Sequence, residues 1–176
     1  MNIGVLSDTH RNREYLDNAV DWLVSRKHVD NLYHLGDDYQ DVQGLEDVWI
    51  PVVQVPGIYH PAYRDGSMKP TAIETVLGLT IILVHQLNKD ISDDDRIRAD
   101  IILHGHTHKA ELSLSDGLLI MNPGHLKGPL DKNMPPSFGL LEIGESSVRA
   151  AIFDLDFKEI ESLKLVRSEN GLYRGY

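Results

Sequence analysis

Met1-Asn2-Ile3-Gly4-Val5-Leu6-Ser7-Asp8-Thr9-His10 opens the chain with a short apolar run that breaks into a polar cluster. An apolar run of this length, closed by polar residues, is the trace of a buried strand. Asn12 to Arg26 follows with Tyr15, Leu16, Ala19, Val20, Trp22 and Leu23 at helical spacing. Apolar residues three and four apart line one face of a helix. Asn31 to Leu35 predicts a second strand and Trp49 to Val55 a third. Strand, helix, strand in that order predicts parallel strands with helix-covered faces.

Beyond this unit the pattern changes. Pro56 to Pro70 reads as a loop, with Gly57, Pro61 and Gly66 inside it. Ala72 to Leu77 and Leu79 to Val84 read as strands meeting near Gly78. Asp90 to Arg98 is polar and acidic, and predicts a loop with a helical turn and a solvated Asp93-Asp94-Asp95 run. Asp100 to Leu103 is a strand. Glu111 to Leu114 and Leu118 to Met121 flank Ser115-Asp116-Gly117, a hairpin signal. Phe138 to Ile143 and Val148 to Leu155 form another pair, and Ile160 to Val166 a last strand. The expected fold class is α/β, a two-layered β-sheet core flanked by helices. Residues 1–167 are expected to form a single domain and residues 168–176 a loosely held tail.

The chain has 176 residues, enough to bury a core without covalent staples. It has no cysteine, which excludes disulfides, thiolate zinc sites and cysteine nucleophiles. That suits a reducing cytoplasm, the expected location. There is no leader-like basic and apolar N-terminus, and no run near the ~18 apolar residues of a membrane span. The net charge of -10 repels polyanions, so extended nucleic-acid binding is not expected. Nothing in the sequence decides between a monomer and a homo-oligomer.

The strands end in potential metal ligands. The first runs into Asp8-Thr9-His10, the second into Gly36-Asp37-Asp38, Leu79 to Val84 into His85, and Asp100 to Leu103 into His104-Gly105-His106-Thr107-His108. Ligand sites in open α/β sheets lie beyond the carboxyl ends of the strands, where these side chains would converge. Imidazole and carboxylate without thiolate suit one or two divalent ions of manganese, iron, zinc or nickel. The two oxygens of a carboxylate such as Asp37 can bridge a pair of ions. His104 is expected to pack beside the motif, Asp38 and Asp41 to be solvated or supporting carboxylates, and His28 and His34 to be structural.

The series Asp8-x-His10, Gly36-Asp37, His85 and Gly105-His106-x-His108 resembles the calcineurin-like metallophosphoesterases, most nearly their small bacterial and archaeal phosphodiesterase branch. The resemblance runs from Met1 to about Leu163 and includes Asn122-Pro123-Gly124. It implies a metallo-dependent phosphatase-like fold and hydrolysis of phosphodiesters or small phosphomonoesters by a hydroxide held between metals. It makes Asp8, His10 and His108 ligands of the first metal, Asp37 the bridge, and His85 and His106 ligands of the second. One segment departs from the pattern. Where the family has Gly-Asn-His-Asp or a close variant, this chain reads Gly57-Ile58-Tyr59-His60. Ile58 has no donor atom for the second metal. Tyr59 and His60 are the catalytic candidates there, and His60 could take either the ligand's or the acid's place. His125 replaces the family's serine after Asn-Pro-Gly; it and Arg11 are the candidates for contacting substrate. A catalytically weakened scaffold, as in the retromer complex, is the rival reading.

Overall fold

Period-two burial along the strands builds two sheets that face each other. The structure, a computed structural model, describes residues 1–37, 39–43, 45 and 49–175. In chain order its elements begin with β1 (Asn2–Leu6), α1 (Arg13–Lys27), β2 (Asn31–His34), a 3-10 turn (Tyr39–Val42), β3 (Val52–Gln54) and α2 (Pro61–Arg64). Next come β4 (Thr71–Val76), β5 (Leu79–Val84), α3 (Leu87–Asp90), α4 (Asp93–Arg98) and β6 (Ile101–Leu103). The chain closes with β7 (Glu111–Ser115), β8 (Leu118–Asn122), β9 (Ser137–Ile143), β10 (Ser147–Asp154), β11 (Glu159–Ser168) and β12 (Gly171–Arg174).

One sheet has seven strands in the order β12-β11-β10-β9-β1-β2-β3, and the other five in the order β4-β5-β6-β8-β7. Both are mixed, not parallel throughout. β1, β2 and β3 run parallel, as do β5, β6 and β8, while hairpins add antiparallel strands outside them. Alternate residues of each strand point to opposite faces. Ile3, Val5, Ile81, Leu83, Ile101, Leu103, Leu141 and Ile152 therefore meet in one core between the sheets. Leu6, Leu32, Leu140 and Ala151 point outward from the larger sheet onto Leu16, Ala19, Val20 and Leu23 of α1. Ile82, Val84 and Ile102 point outward from the smaller sheet and pack against Leu87, Ile91 and Ala99. Full burial of each such side chain contributes about 1.5–3 kcal/mol, so these faces fix the layer order.

α1 is held at both ends. Asn12 accepts a hydrogen bond from the Tyr15 N–H, and His28 closes the helix in the left-handed region at φ 50°. The hairpin expected at Ser115-Asp116-Gly117 is present, with positive φ at Asp116 and Gly117 between paired Ser115 and Leu118.

Two expectations fail. Residues Asp93-Asp94-Asp95 do not lie in a loop but open α4. Ser92 Oγ accepts from the Asp95 N–H, and carboxylates in a first turn complement the helix dipole. Residues 168–175 are not a loose tail either, and Tyr176 lies outside the described residues. Gly171–Arg174 pairs antiparallel with β11, and Leu172 is buried, its N–H donating to the Gly117 carbonyl at 2.9 Å. One inward apolar residue in a four-residue strand is too short a period to read from sequence.

Candidate metal centre

The carboxyl ends of β1, β2 and β3 in one sheet meet those of β5, β6 and β8 in the other. Backbone hydrogen bonds stitch these ends together: Asp8 N–H to Gly36 O at 2.7 Å, Gly105 N–H to His85 O at 3.1 Å, and Leu126 N–H to Asp8 O at 3.2 Å. Two glycines allow the close approach. A Cβ at Gly57 would stand 2.4 Å from Asp37 Cα, and one at Gly105 would stand 2.0 Å from Ser7 Oγ.

The expected first-metal set comes together. One donor atom from each of Asp8, His10, Asp37 and His108 lies within 4.8 Å of the other three. His10 Nε2 is 3.0 Å from Asp37 Oδ2, and His108 Nε2 is 3.2 Å from Asp8 Oδ1 and 3.3 Å from His10 Nε2. Donors about 2.0–2.2 Å from one tetrahedral ion stand about 3.4 Å apart, so the spacing is close to that of a coordination shell. The other Asp37 oxygen, Oδ1, is 3.1 Å from His85 Nε2. Asp37 thus faces histidines on two sides, as a bridging carboxylate does. The His106 ring packs edge-on to His85, with centroids 5.1 Å apart, and the His106 backbone N–H donates to Asp8 Oδ2 at 2.9 Å.

Ring orientation is set from behind. His85 Nδ1 is 2.7 Å from the Leu35 carbonyl. A carbonyl only accepts, so Nδ1 carries the proton and Nε2 turns its lone pair toward Asp37. Asp8 Oδ1, Asp37 Oδ1 and His85 Nε2 are buried without a hydrogen-bond partner among the described residues. Buried polar atoms are normally satisfied, and three acceptors aimed into one space fit a cation. Four of the six proposed ligands have positive φ: Asp8 51°, His10 48°, His106 68° and His108 65°. Left-handed non-glycine residues each cost about 1–2 kcal/mol, and strain of this kind gathers at functional sites.

The charge balance agrees. Burial would raise the Asp37 carboxyl, but the imidazoles of His10 and His85 beside it prevail and hold it well below the usual range. For Asp8, burial is again outweighed, mainly by the His108 imidazole beside it. The bond to Asp37 pushes His10 up. Burial lowers His85, yet Asp37 and Asp8 overcome it. Around Asp8 and Asp37 the carboxylates favour positive charge, whereas burial and the neighbouring His85 lower His106.

The remaining candidates lie around this cluster. Tyr59 is exposed, its ring centroid 6.3 Å from that of His10. His60 caps α2: its Nδ1 accepts from the Ala62 N–H at 3.2 Å. His125 is fully buried against His108, ring centroids 5.3 Å apart. Its Nε2–H donates to Met134 O and its Nδ1 accepts from the Lys127 N–H, so both nitrogens serve the backbone and not a substrate. Arg11 is exposed, and its N–H donates to Asp41 Oδ2. Asp38 lies outside the described residues. His104 packs beside the motif, near Asn122, whose amide donates to Gly105 O and Thr107 Oγ1.

Two more groups support the site from behind: His34, expected to be structural, and Asp131, which escaped the sequence reading. His34 Nε2 is 2.6 Å from Thr9 Oγ1, under the Asp8–His10 turn. Burial depresses its pKa to about 4. Asp131 Oδ2 is 2.5 Å from His108 Nδ1, while its Oδ1 accepts from Lys127 Nζ at 2.7 Å. Lys127 first, and His108 after it, hold the Asp131 carboxyl down at about 2. Asp131 sits in Leu130-Asp131-Lys132-Asn133, a segment with no periodicity and no motif, so no sequence signal pointed to it.

Comparison with known proteins agrees with this geometry. The model of the calcineurin-like phosphoesterase superfamily domain matches residues 1–146. Probable metallophosphoesterase YsnB of Bacillus subtilis is 25% identical over 175 residues, covering 93% of this chain and 97% of that one. The solved phosphoesterase Yfce from E. coli is 17% identical with a TM-score of 0.68, over 93% of this chain and 98% of that one. A Vps29 complexed with zinc from Entamoeba histolytica is 20% identical with a TM-score of 0.67, over 94% and 99%. The two structures show the shared fold. The family match spans most of the sequence and every ligand candidate, and the chain belongs to the calcineurin-like phosphoesterase superfamily.

Proposed function

We propose that the chain hydrolyses phosphodiesters or small phosphomonoesters with one or two divalent cations at the Asp8–His10–Asp37–His108 cluster and its His85–His106 side. The observation that carries this reading is the Asp37 carboxylate, one oxygen toward His10 and the other, buried and without a hydrogen-bond partner among the described residues, toward His85. Bound cations would supply the charge that acidifies a water and neutralises phosphoryl oxygens. The chain's own part is to hold its donors in place through the strand ends, Gly57 and Gly105, and to keep Nε2 of His85 and His108 turned inward. Tyr59, exposed beside His10, is the candidate in this reading for meeting the leaving group. Manganese, iron, zinc and nickel all suit this donor set. A reducing cytoplasm suits the cysteine-free chain.

The test is Asp37→Ala, assayed on a nitrophenyl phosphodiester with metal content measured in parallel. Turnover should fall by more than about 10²-fold while the fold persists, since each preorganised charge at a phosphoryl site is worth about that much. Unchanged turnover and metal content in this variant would refute the reading. One observation favours the rival: Ile58 offers the His85 side no donor atom. A wild-type chain that binds metal yet turns over no phosphoester would make it a metal-holding scaffold.

A further inference from the structure

The loop from Pro123 to Pro136 joins β8 to β9 and is pinned at several points. Leu126 N–H donates to Asp8 O, Ser137 N–H to His125 O at 2.9 Å, Ser137 Oγ to Pro123 O at 2.7 Å, and His125 Nε2–H to Met134 O at 3.0 Å. Asp131 and Met134 exchange two backbone hydrogen bonds, at 3.0 and 2.8 Å. Between them Lys132 and Asn133 have φ of 50° and 63°. Positive φ at both central residues is the two-residue turn usually reserved for asparagine and glycine. Here it is made with a lysine, and it delivers Asp131 to the back of His108.

The contact has a chemical consequence. An ionised carboxylate only accepts hydrogen bonds, so His108 Nδ1, 2.5 Å from Asp131 Oδ2, carries the proton. Nε2 keeps its lone pair and faces Asp8 Oδ1 at 3.2 Å. On the other side of Asp37 the same task falls to a neutral group, since His85 Nδ1 donates to the Leu35 carbonyl. The two sides of the centre therefore differ in the charge behind their histidines.

We propose that Asp131 is a positioning residue for the Asp8–His10–His108 metal site, fixing the tautomer and orientation of His108 and strengthening Nε2 as a donor. This rests on the reading that the cluster holds a cation. Asp131 does not touch substrate; it acts through His108. It also makes the two sides unequal, the side of Asp8, His10 and His108 binding its ion more tightly. Lys127 pairs with the outer oxygen of Asp131 at the exposed rim, away from His108.

The experiment titrates chelator-stripped protein with Mn²⁺ in competition with a chromogenic chelator, for wild type, Asp131→Asn, Asp131→Ala and Lys127→Met. Outer carboxylates of this kind are worth about 10–100-fold in metal affinity, so Asp131→Ala should weaken the first ion by about that factor. Asp131→Asn, which keeps an oxygen on Nδ1 without the charge, should weaken it less, and the second ion should be unaffected in both. Lys127→Met loosens the same loop but keeps the Asp131–His108 bond, and should leave the first ion within about twofold of wild type. If Asp131→Ala unfolds, Asp131→Asn carries the test alone. An unchanged first ion in the folded Asp131 variants overturns the proposal. So does an equal loss at both ions, or a loss in Lys127→Met as large as in Asp131→Ala, since either marks a mere loop tether. A wild-type chain that takes up no ion instead overturns the functional reading on which the proposal stands.

Discussion

Asp37 and His34 lie three residues apart and meet opposite electrostatic conditions. Asp37 is a buried carboxylate kept charged by two imidazoles. His34 is a buried imidazole kept neutral, its pKa pushed down to about 4 because burial outweighs the pull of the Asp8 and Asp37 carboxylates. The sign of its effect on stability follows. Above pH 6.5 His34 is neutral in folded and unfolded chains alike, and costs nothing. Between about 6.5 and 4 the unfolded chain takes up a proton that the folded one refuses, so stability falls as the pH falls. Below about 4 the folded chain protonates too, and this loss stops growing. The total is roughly 3 kcal/mol, taking about 1.4 kcal/mol per pKa unit. His34→Gln preserves a hydrogen-bonding group for Thr9 but does not titrate. Denaturant unfolding of metal-free protein at pH 7 and pH 4.5 should show a pH-dependent loss smaller by most of that amount in the variant. Equal losses in both proteins would show that His34 does not control the acid sensitivity.

The segment Gly57 to Arg64 works as one element. Gly57 lets the backbone pass over Asp37, Ile58 follows without a donor, and His60 caps α2. Ile58→Asn places an amide oxygen where the family carries its ligand. The second ion should then bind at least about tenfold more tightly, at the low end of what one well-placed polar partner contributes. A metal titration that left the second affinity unchanged would mean that Ile58 does not face the second site. For His60, cap and chemistry separate by substitution. His60→Ala should cost about 1 kcal/mol of stability, as lost N-caps do, whereas asparagine caps well and His60→Asn should melt like wild type. With the cap as its role, His60→Asn also keeps wild-type turnover on alkyl phosphodiesters. A fall of about 10²-fold or more on those esters would identify the imidazole as the leaving group's acid.

At the scale of the molecule, the site is a seam. Asp8, His10 and Asp37 come from the seven-stranded sheet, and His85, His106 and His108 from the five-stranded one. An ion held between them binds the folded chain and not the unfolded one. At a free concentration 100 times its Kd it adds about 2.7 kcal/mol. For a chain of this length that is about 5–10 °C in Tm. Calorimetry with Mn²⁺ and then with excess chelator should show this difference, and Asp37→Ala should abolish it. A Tm indifferent to metal in the wild-type chain would mean that no ion bridges the sheets.

Much of this organisation is legible in the residues alone. Period-two and period-3.6 burial are local properties, so the strands, α1 and the layered α/β class can be read from the chain. That Asp8, His10, Asp37 and His108 come together could be read too, because each follows a strand, and strand ends in such folds converge. What needed the tertiary structure was every role set by a distant partner. The paired β12 depends on β11 and on the Gly117 carbonyl. His125 resembles a pocket residue until Met134 and Lys127 are seen to occupy both its nitrogens. Asp131 lies 23 positions from His108 on a loop without periodicity, and only packing brings them to 2.5 Å. The sequence determined which side chains could bind metal; the fold decided which carboxylate stands behind which imidazole, because a hydrogen bond depends on distance in space and not on separation along the chain.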